Sequence, residues 1–369
     1  ADASHAGAEL NFGAESGVTI VAEIGTSHRG DLSSAEQLIS AAREAGADAV
    51  KFQAIIADEI VHPRVGKIQL PGGPTDVYER FHTLERTPEF YQRLKEMSED
   101  EGLRFLCSPF GNKSARMLLD IGVDWLKIAS PELNHYPLLD TASEVPLVIS
   151  TGVSTLGDIE ESVRFLKSGV THRPSIILLH CITSYPAPEE EYNLRVLPLL
   201  SRIFGVPVGV SDHSKDPHIV PALSAALGAG MLEKHITLSP EGGGLDDPVA
   251  LTPERFRLMV ETVRRCEHME MDEAADFLVE NGTAGREKIE RVLGTGEKRL
   301  APSEAPFYGG TNRSLVALTP IAEGERLSEK NTALLRCEQG HMPGLPPRFF
   351  AEVMGKRLVR PAGPAEGGG

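Results

Sequence analysis

The chain of 369 residues has only four cysteines, Cys107, Cys181, Cys266 and Cys337, and no Cys-x-x-Cys spacing among them. That scarcity excludes a disulfide-dense scaffold and fits a reduced, cytoplasmic protein. Long apolar runs are missing too: nothing approaches the roughly 18 residues of a membrane span. The start ADASHAGAEL lacks the basic and apolar regions of a secretory signal. Positive charge is short, with 37 Lys and Arg against 53 Asp and Glu, a net charge of −16. Nucleic acid and anionic membranes are therefore poor partners, because a phosphate backbone is bound by basic surface. A small anion stays open if lysines cluster locally. The remaining composition, 41% hydrophobic and 24% charged, is that of a soluble globular protein long enough for a full core and two domains.

What is present is a repeated βα unit. Short apolar runs occur at 18–24, 48–53, 103–108, 124–129, 146–150, 175–180, 206–210 and 230–236. Between them lie segments such as SSAEQLISAAREAG, TPEFYQRLKEMSEDEG and TLGDIEESVRFLKSG, with apolar residues at i, i+3, i+4 and a closing glycine. Thr87 before Pro88, and Thr155 three residues before Asp158, read as helix starts. Eight such units predict an α/β fold, a (β/α)8 TIM barrel. A doubly wound open sheet is the alternative, but no G-x-G-x-x-G follows the first run.

A barrel of this kind builds its active site from the C-terminal ends of its strands. In order these ends offer Glu23, Lys51 with Gln53, Ser108, Lys127 with Ser130 and Glu132, Ser150 with Thr151, and His180 with Thr183 and Tyr185. The last two offer Ser211 with His213, and His235. Single serines at strand ends need no explanation beyond solvent. Lys51 and Lys127 do, because each sits inside an apolar run and a buried lysine keeps its charge only beside an anion. They describe a pocket for a phosphate or carboxylate. Ser211-Asp212-His213 and Glu233-Lys234-His235 close consecutive βα units. Two histidines so placed point to one shared metal site rather than to two satisfied core imidazoles. Cys107 and Cys181 read as small buried thiols, EHMEMDEAADFLVE as a solvated helix face, and His180 as a barrel-holding hydrogen-bond partner. His28 and His218 fall near the barrel mouth.

The segments AEIGTSHRGDL, GADAVKFQ, LRFLCSPF, LKIASPEL, VISTGVSTL, LLHCITSYPAP, VGVSDHS and LEKHITL, in that order, resemble the sialic acid (N-acetylneuraminate or nonulosonate) synthases. TGEKRLAPSE and NRSLVALTPIAEGERLSEKNTALLR resemble their linker and C-terminal antifreeze-like domain, so the likeness spans roughly 18 to 357. It implies condensation of phosphoenolpyruvate with an open-chain N-acetylated amino sugar, typically N-acetylmannosamine, to a nine-carbon 2-keto sugar acid and phosphate. It also implies a divalent ion, Mn²⁺ first and Mg²⁺ or Co²⁺ as substitutes, on His213 and His235. By the same resemblance Glu23 activates water, while Lys51, Ser108, Lys127, Ser130, Ser150 and Ser211 bind phosphoenolpyruvate. Gln53, Glu132, Tyr185 and Asp246 contact the sugar. The assembly it implies is a homodimer with exchanged small domains, in which Arg336 reaches the partner's sugar. A Schiff-base aldolase using Lys127 and a non-catalytic sugar-binding protein are the rival readings.

Departures from the family pattern gather on the sugar side. Ser27-His28-Arg29-Gly30 replaces NHNG, Gly244-Leu245-Asp246-Asp247 replaces GPDH, and Gly73 and Thr183 stand where relatives often have asparagine. N-acetylmannosamine, a diacetamido sugar of the legionaminic or pseudaminic type, and a phosphorylated sugar all remain candidates. The expected divisions are an N-terminal extension (1–17), the barrel (18–268), a linker with helix (269–310), a β-rich antifreeze-like domain (311–360) and a disordered tail (361–369). Arg336-Cys337-Glu338 replaces the common RPG of that small domain.

Overall fold

In the computed structural model, residues 17–70, 73–338 and 341–367 are described. The expected N-terminal extension therefore falls, apart from Gly17, outside the described residues. In chain order the first half runs β1 (Thr19–Gly25), α1 (Leu32–Glu44), β2 (Ala49–Ala54), β3 (Lys67–Leu70), β4 (Gly73–Asp76), α2 (Val77–Leu84) and α3 (Pro88–Asp100). It continues β5 (Arg104–Pro109), α4 (Asn112–Asp120), β6 (Leu126–Ile128), α5 (Tyr136–Ala142), β7 (Leu147–Ser150) and α6 (Leu156–Ser168). Then follow β8 (Ile176–Cys181), α7 (Val196–Phe204), β9 (Val208–Asp212), α8 (Ile219–Ala226), β10 (Met231–His235) and α9 (Pro253–Cys266). Strands β1, β2 and β5 to β10 close into a parallel barrel, β10 pairing back onto β1. The expected TIM barrel is thus observed, and its strands fall on the eight apolar runs. Both anticipated helix starts are in place: Thr155 and Asp158 cap α6 reciprocally, and Thr87 precedes Pro88 at the head of α3.

Two apolar layers hold the barrel. Outward strand residues such as Ile20, Val50, Phe105, Ile149 and Leu178 pack with the helices' buried faces in one large core. Inward residues Val21, Ala49, Leu106, Trp125, Val148, Leu179 and Met231 fill the lower interior. Gly209 belongs to that interior for a steric reason, since a Cβ there would collide with the Met231 carbonyl. Side chains on a strand alternate faces, so the residues two places on from each plug residue also point inward, nearer the mouth. These are Glu23, Lys51, Ser108, Lys127, Ser150, Cys181 and Glu233, with Ser211 following Gly209. The interior therefore changes from apolar plug to polar floor within one step of the strand repeat.

Two additions shape the mouth. Between β2 and α3, the β3–β4 antiparallel hairpin and α2 form an insertion whose Ile55, Ile60, Val61, Val65, Ile68, Val77 and Leu84 cluster with Phe110, just after β5. After the barrel, α10 (Met271–Glu280) and α11 (Arg286–Leu293) lead into a connection that stays on the barrel surface. The helix expected in this linker is there, as two separate pieces. Glu304, fully buried, accepts hydrogen bonds from the Val153 and Thr183 N–H groups, each at 2.9 Å. Asn312 Nδ2 donates to the Val153 carbonyl at 3.2 Å. The chain is thereby delivered to β11 (Arg313–Ala317), which pairs antiparallel with β12 (Thr332–Arg336) before the short α12 (Phe350–Val353).

This small module has a core of Leu315, Ala317, Ile321, Leu327, Leu334 and Leu358. So few buried side chains give a marginal unit, and the module leans on the barrel. Arg336 N–H donates to the Ile60 carbonyl at 2.9 Å, and Asn134 exchanges two hydrogen bonds with the Arg313 backbone. The expectation of a disordered tail from 361 is corrected. Ala362 bridges Ile321, Gly367 bridges Val316, Ala365 is buried, and the Ala317 N–H donates to the Glu366 carbonyl at 3.0 Å. Backbone pairing alone brings this segment into the sheet, which is why an apolar pattern gave no sign of it.

Candidate active site

The polar floor opens into a cavity of about 580 Å³, a size suited to two small metabolites together. Every predicted site residue except Glu132 lines it. Parallel pairing explains the gathering: Glu23 lies beside His235 on one side and Lys51 on the other, Gln53 beside Ser108, and Glu233 beside Ser211.

At the floor, Lys51 Nζ lies 2.9 Å from Glu23 Oε2 and donates to Ser108 Oγ at 3.2 Å. Glu233 Oε1 lies 3.7 Å from Lys51 Nζ and 3.6 Å from Lys127 Nζ, and accepts from Ser211 Oγ at 3.0 Å. Glu233 is absent from the sequence-derived site, yet it binds the two lysines together. Burial pushes its carboxyl upward, but Lys127 and Lys51 overcome that and hold it at about 2. Burial likewise opposes the Lys51 charge, and Glu23 and Glu233 outweigh it, raising that ammonium above its ordinary range. For Lys127 burial wins and the shift is downward. Burial also raises Glu23 against the pull of Lys51. Gln53 Nε2 donates to the other Glu23 oxygen at 2.7 Å.

Apart from Glu23 Oε2, which Lys51 approaches at 2.9 Å, three buried oxygens in this lining, Ser150 Oγ, Thr183 Oγ1 and Glu233 Oε2, have no hydrogen-bond partner. Buried polar atoms are costly when unpaired, so their convergence marks a place built for a polar ligand. Ser130 Oγ accepts from the Gly152 N–H at 3.0 Å and so joins the ends of β6 and β7.

The two histidines stand with ring centroids 5.7 Å apart. His213 Nδ1 lies 2.8 Å from the Ile182 carbonyl, an acceptor, so Nδ1 carries a proton and Nε2 is the nitrogen left for a ligand. Burial, then His213 and Lys51, hold His235 well below the ordinary imidazole range, whereas Cys181 outweighs burial at His213 and raises that imidazole to about 9. Asp246 Oδ2 is 4.0 Å from His235 Nδ1, and burial raises Asp246 to about 6. Tyr185 stacks on His213 at 4.2 Å. Among the described residues no group of three or more His, Cys, Asp and Glu side chains forms a metal cage. Two imidazoles bordering one cavity fit an ion whose other positions go to water and substrate.

Several expectations need revision. Glu132, assigned to the sugar, is fully buried and does not line the cavity; its Oε1 accepts from Arg313 Nη2 at 2.8 Å and from Arg336 Nη2 at 2.7 Å. It anchors the small module. Arg336 does line the cavity, but within one chain it faces its own barrel, because the connection carrying it never leaves the barrel surface. Arg313, unnoticed in the sequence, is the deeper of the two arginines and also donates to the Phe110 carbonyl at 2.6 Å. His28 packs against Phe52 and Phe90 away from the cavity. His180 holds the Tyr192 carbonyl at 2.6 Å, as expected of a barrel brace, and His218 Nδ1 meets Thr262 Oγ1 at 2.8 Å. Cys181 lines the cavity, 3.7 Å from His213 Nδ1, and Cys107 is buried on the outer face of β5 in the core between strands and helices.

Comparison with known proteins agrees with this geometry. The chain is 32% identical to an N,N'-diacetyllegionaminic acid synthase of Legionella pneumophila, covering 92% of this chain and 90% of that protein. The crystal structure of the Bacillus subtilis spore coat polysaccharide biosynthesis protein SpsE superposes with a TM-score of 0.79 at 32% identity, over 96% of this chain and 95% of that one. The N-acetylneuraminic acid synthetase of Leptospira borgpetersenii, solved with citrate, superposes with a TM-score of 0.61 at 30% identity, over 72% and 92%. The SAF domain model matches residues 312–366, the small module, and the NeuB family model matches residues 38–274, most of the barrel. A closed barrel carrying this floor, joined to such a module, belongs to the NeuB family.

Proposed function

We propose that the protein condenses phosphoenolpyruvate with an open-chain N-acetylated amino sugar of the N-acetylmannosamine type, giving a nine-carbon 2-keto sugar acid and phosphate. The observation that carries this reading is the meeting, in one cavity, of two buried lysines and unpartnered hydroxyls with two imidazoles. Relatives named as legionaminic and sialic acid synthases support it.

Lys51 and Lys127, with Ser108, Ser130, Ser150 and Ser211, bind the phosphate and carboxylate of phosphoenolpyruvate through charge-assisted hydrogen bonds. His213 and His235 would hold the divalent ion, Mn²⁺ first with Mg²⁺ or Co²⁺ as substitutes, which when bound polarises the sugar aldehyde. Gln53, Tyr185, Asp246 and Arg336 set the sugar so that its aldehyde carbon faces C3 of phosphoenolpyruvate. The new C–C bond leaves C2 electron-poor. Glu23, its carboxyl raised by burial, takes the proton of the water that adds there. The C2–O bond to phosphate then breaks and phosphate leaves the lysine pocket.

The decisive assay is phosphate release from phosphoenolpyruvate with Mn²⁺ across a panel of N-acetylated hexoses; no release with any acceptor would overturn the reading. The downward shift of Lys127 favours one alternative, a Schiff-base aldolase. Borohydride trapping of a substrate on Lys127 without metal would replace the first reading by the second. Four free, buried cysteines support a reducing, cytoplasmic setting. The same reading includes a homodimer that exchanges its small modules, so that Arg313 and Arg336 close on Glu132 of the other copy. Its support is the slight core of the module, which needs a barrel to lie on.

A further inference from the structure

His213 is fixed by the stretch of chain that follows β8. The Ile182 carbonyl meets its Nδ1 at 2.8 Å, and Tyr185 stacks on its ring at 4.2 Å. Cys181 Sγ stands farther from Nδ1, at 3.7 Å, so the carbonyl sets the edge of the ring. This stretch lies outside the strands and needs its own anchor, which is Glu304. Glu304 Oε2 accepts from the Thr183 N–H at 2.9 Å, and that N–H belongs to the same peptide unit as the Ile182 carbonyl. In a planar trans peptide the N–H and C=O point opposite ways. Carboxylate, peptide and imidazole therefore form one line of hydrogen bonds.

Glu304 is itself held firmly. It is fully buried, its Oε2 also accepts from the Val153 N–H at 2.9 Å, and its Oε1 accepts from the Ala301 N–H at 3.2 Å. Val153 has a φ of 41°, in the left-handed region that a β-branched residue rarely enters. Such a conformation persists only where the surroundings hold it. Here Glu304 takes its N–H, and Asn312 Nδ2 donates to its carbonyl at 3.2 Å.

We propose that Glu304, in the connection outside the barrel, is a positioning residue for His213 and acts through the Ile182–Thr183 peptide. This role rests on the place given to the divalent ion in the condensation reading above. A carboxylate on the N–H of an amide makes the carbonyl of that amide a stronger acceptor, because chained hydrogen bonds polarise one another. The Ile182 carbonyl then keeps the ring turned with its proton on Nδ1, which leaves Nε2 for a ligand. The line is the same whether the connection belongs to the same chain or to a second copy.

Full-length protein and Mn²⁺ provide the test. Nitrogen NMR of the metal-free wild type should place a proton on His213 Nδ1; a ring whose Nδ1 is bare overturns the proposal. Glu304→Gln keeps the size of the side chain and removes its charge, and should weaken Mn²⁺ binding, read by calorimetry, by about 10-fold. Asn312→Ala loosens the same connection without touching the Ile182–Thr183 peptide. It should lower the thermal midpoint and leave Mn²⁺ affinity nearly unchanged. Undiminished affinity in folded Glu304→Gln, or an equal loss in Asn312→Ala, reduces Glu304 to an anchor of the connection and overturns the proposal, with the condensation reading intact. That reading falls instead if the wild type releases no phosphate with any acceptor, and the NMR and calorimetry then still decide the role of Glu304.

Discussion

Arg313 and Glu132 form an ion pair in which neither side chain is exposed, with Nε and Nη2 at 3.1 and 2.8 Å from one carboxylate oxygen. Arg336 reaches the same oxygen from a position 12% exposed. The two arginines therefore divide their work. Breaking a buried pair costs about 3–5 kcal/mol, because the abandoned charge keeps its desolvation penalty. Arg313→Ala should lower the thermal midpoint and open the connection before β11 to limited proteolysis. Arg336→Ala should unfold little and instead raise KM for the sugar. Equal stability losses in the two variants would contradict this division.

The lysine floor makes a separate prediction. A charge-assisted contact is worth about 1.5–3 kcal/mol, so Lys51→Met or Lys127→Met should each lower kcat/KM for phosphoenolpyruvate roughly 10- to 150-fold. Sugar affinity should change much less. Matching losses for both substrates would mean that the lysines shape the barrel generally.

Metal dependence rests on His213 and His235. Alanine at either should abolish product formation while circular dichroism stays that of the folded barrel, and Mn²⁺ binding measured calorimetrically should weaken in parallel. Full activity in the presence of a chelator, or undiminished Mn²⁺ binding by the double variant, would remove the ion from its assigned place.

The barrel was legible because each strand is a short apolar run with its polar residues at one end, as in LKIASPEL. The floor was legible for the same reason, since lysines inside such runs demand an anion. Glu233 shows where that reading stopped. It lies in the quoted Glu233-Lys234-His235 triplet, and the two-residue strand repeat puts it on the face of Met231 and His235. The intervening Lys234 points outward instead, where it pairs with Asp212 at 2.6 Å. Parity along the strand would have found Glu233; the triplet alone did not. Arg313 and Glu304 leave no local trace, because their partners, Glu132 and the Val153 N–H, lie 181 and 151 residues away. The β3–β4 hairpin was hidden by its brevity and by Gly73-Pro74, which reads as loop.

Buried neutral imidazoles make stability depend on pH. Burial lowers His28 from 6.5 to about 4 and His180 from 6.5 to about 3. Below 6.5 the unfolded chain takes up protons that the folded one refuses, so folding stability declines as pH falls through that window. Each histidine contributes a slope of up to about 1.4 kcal/mol per pH unit. Denaturant titrations between pH 7 and 4 should show the decline, and His28→Gln should flatten it by about one proton's worth. A slope unchanged in that variant would mean that His28 already carries its proton in the folded protein.

Exchange of the small module is decided by mixing lesions. A His213→Ala chain lacks a metal ligand on its barrel, and an Arg336→Ala chain lacks the arginine of its module, so each alone should turn over poorly. In an exchanged dimer every site combines one chain's barrel with the other chain's module. A hybrid then holds one site with both lesions and one with neither, and mixing under verified subunit exchange should restore part of the activity. Exchange costs little in contacts, because the Arg313 and Arg336 bonds to Glu132 are the same within a chain or between chains. The connection must then release Glu304 from Val153 and Thr183, or carry those bonds to the partner as well. Recovered activity together with a dimeric mass at assay concentration is the expected result. Verified hybrids without recovery, or a monomer, would mean that each module caps its own barrel.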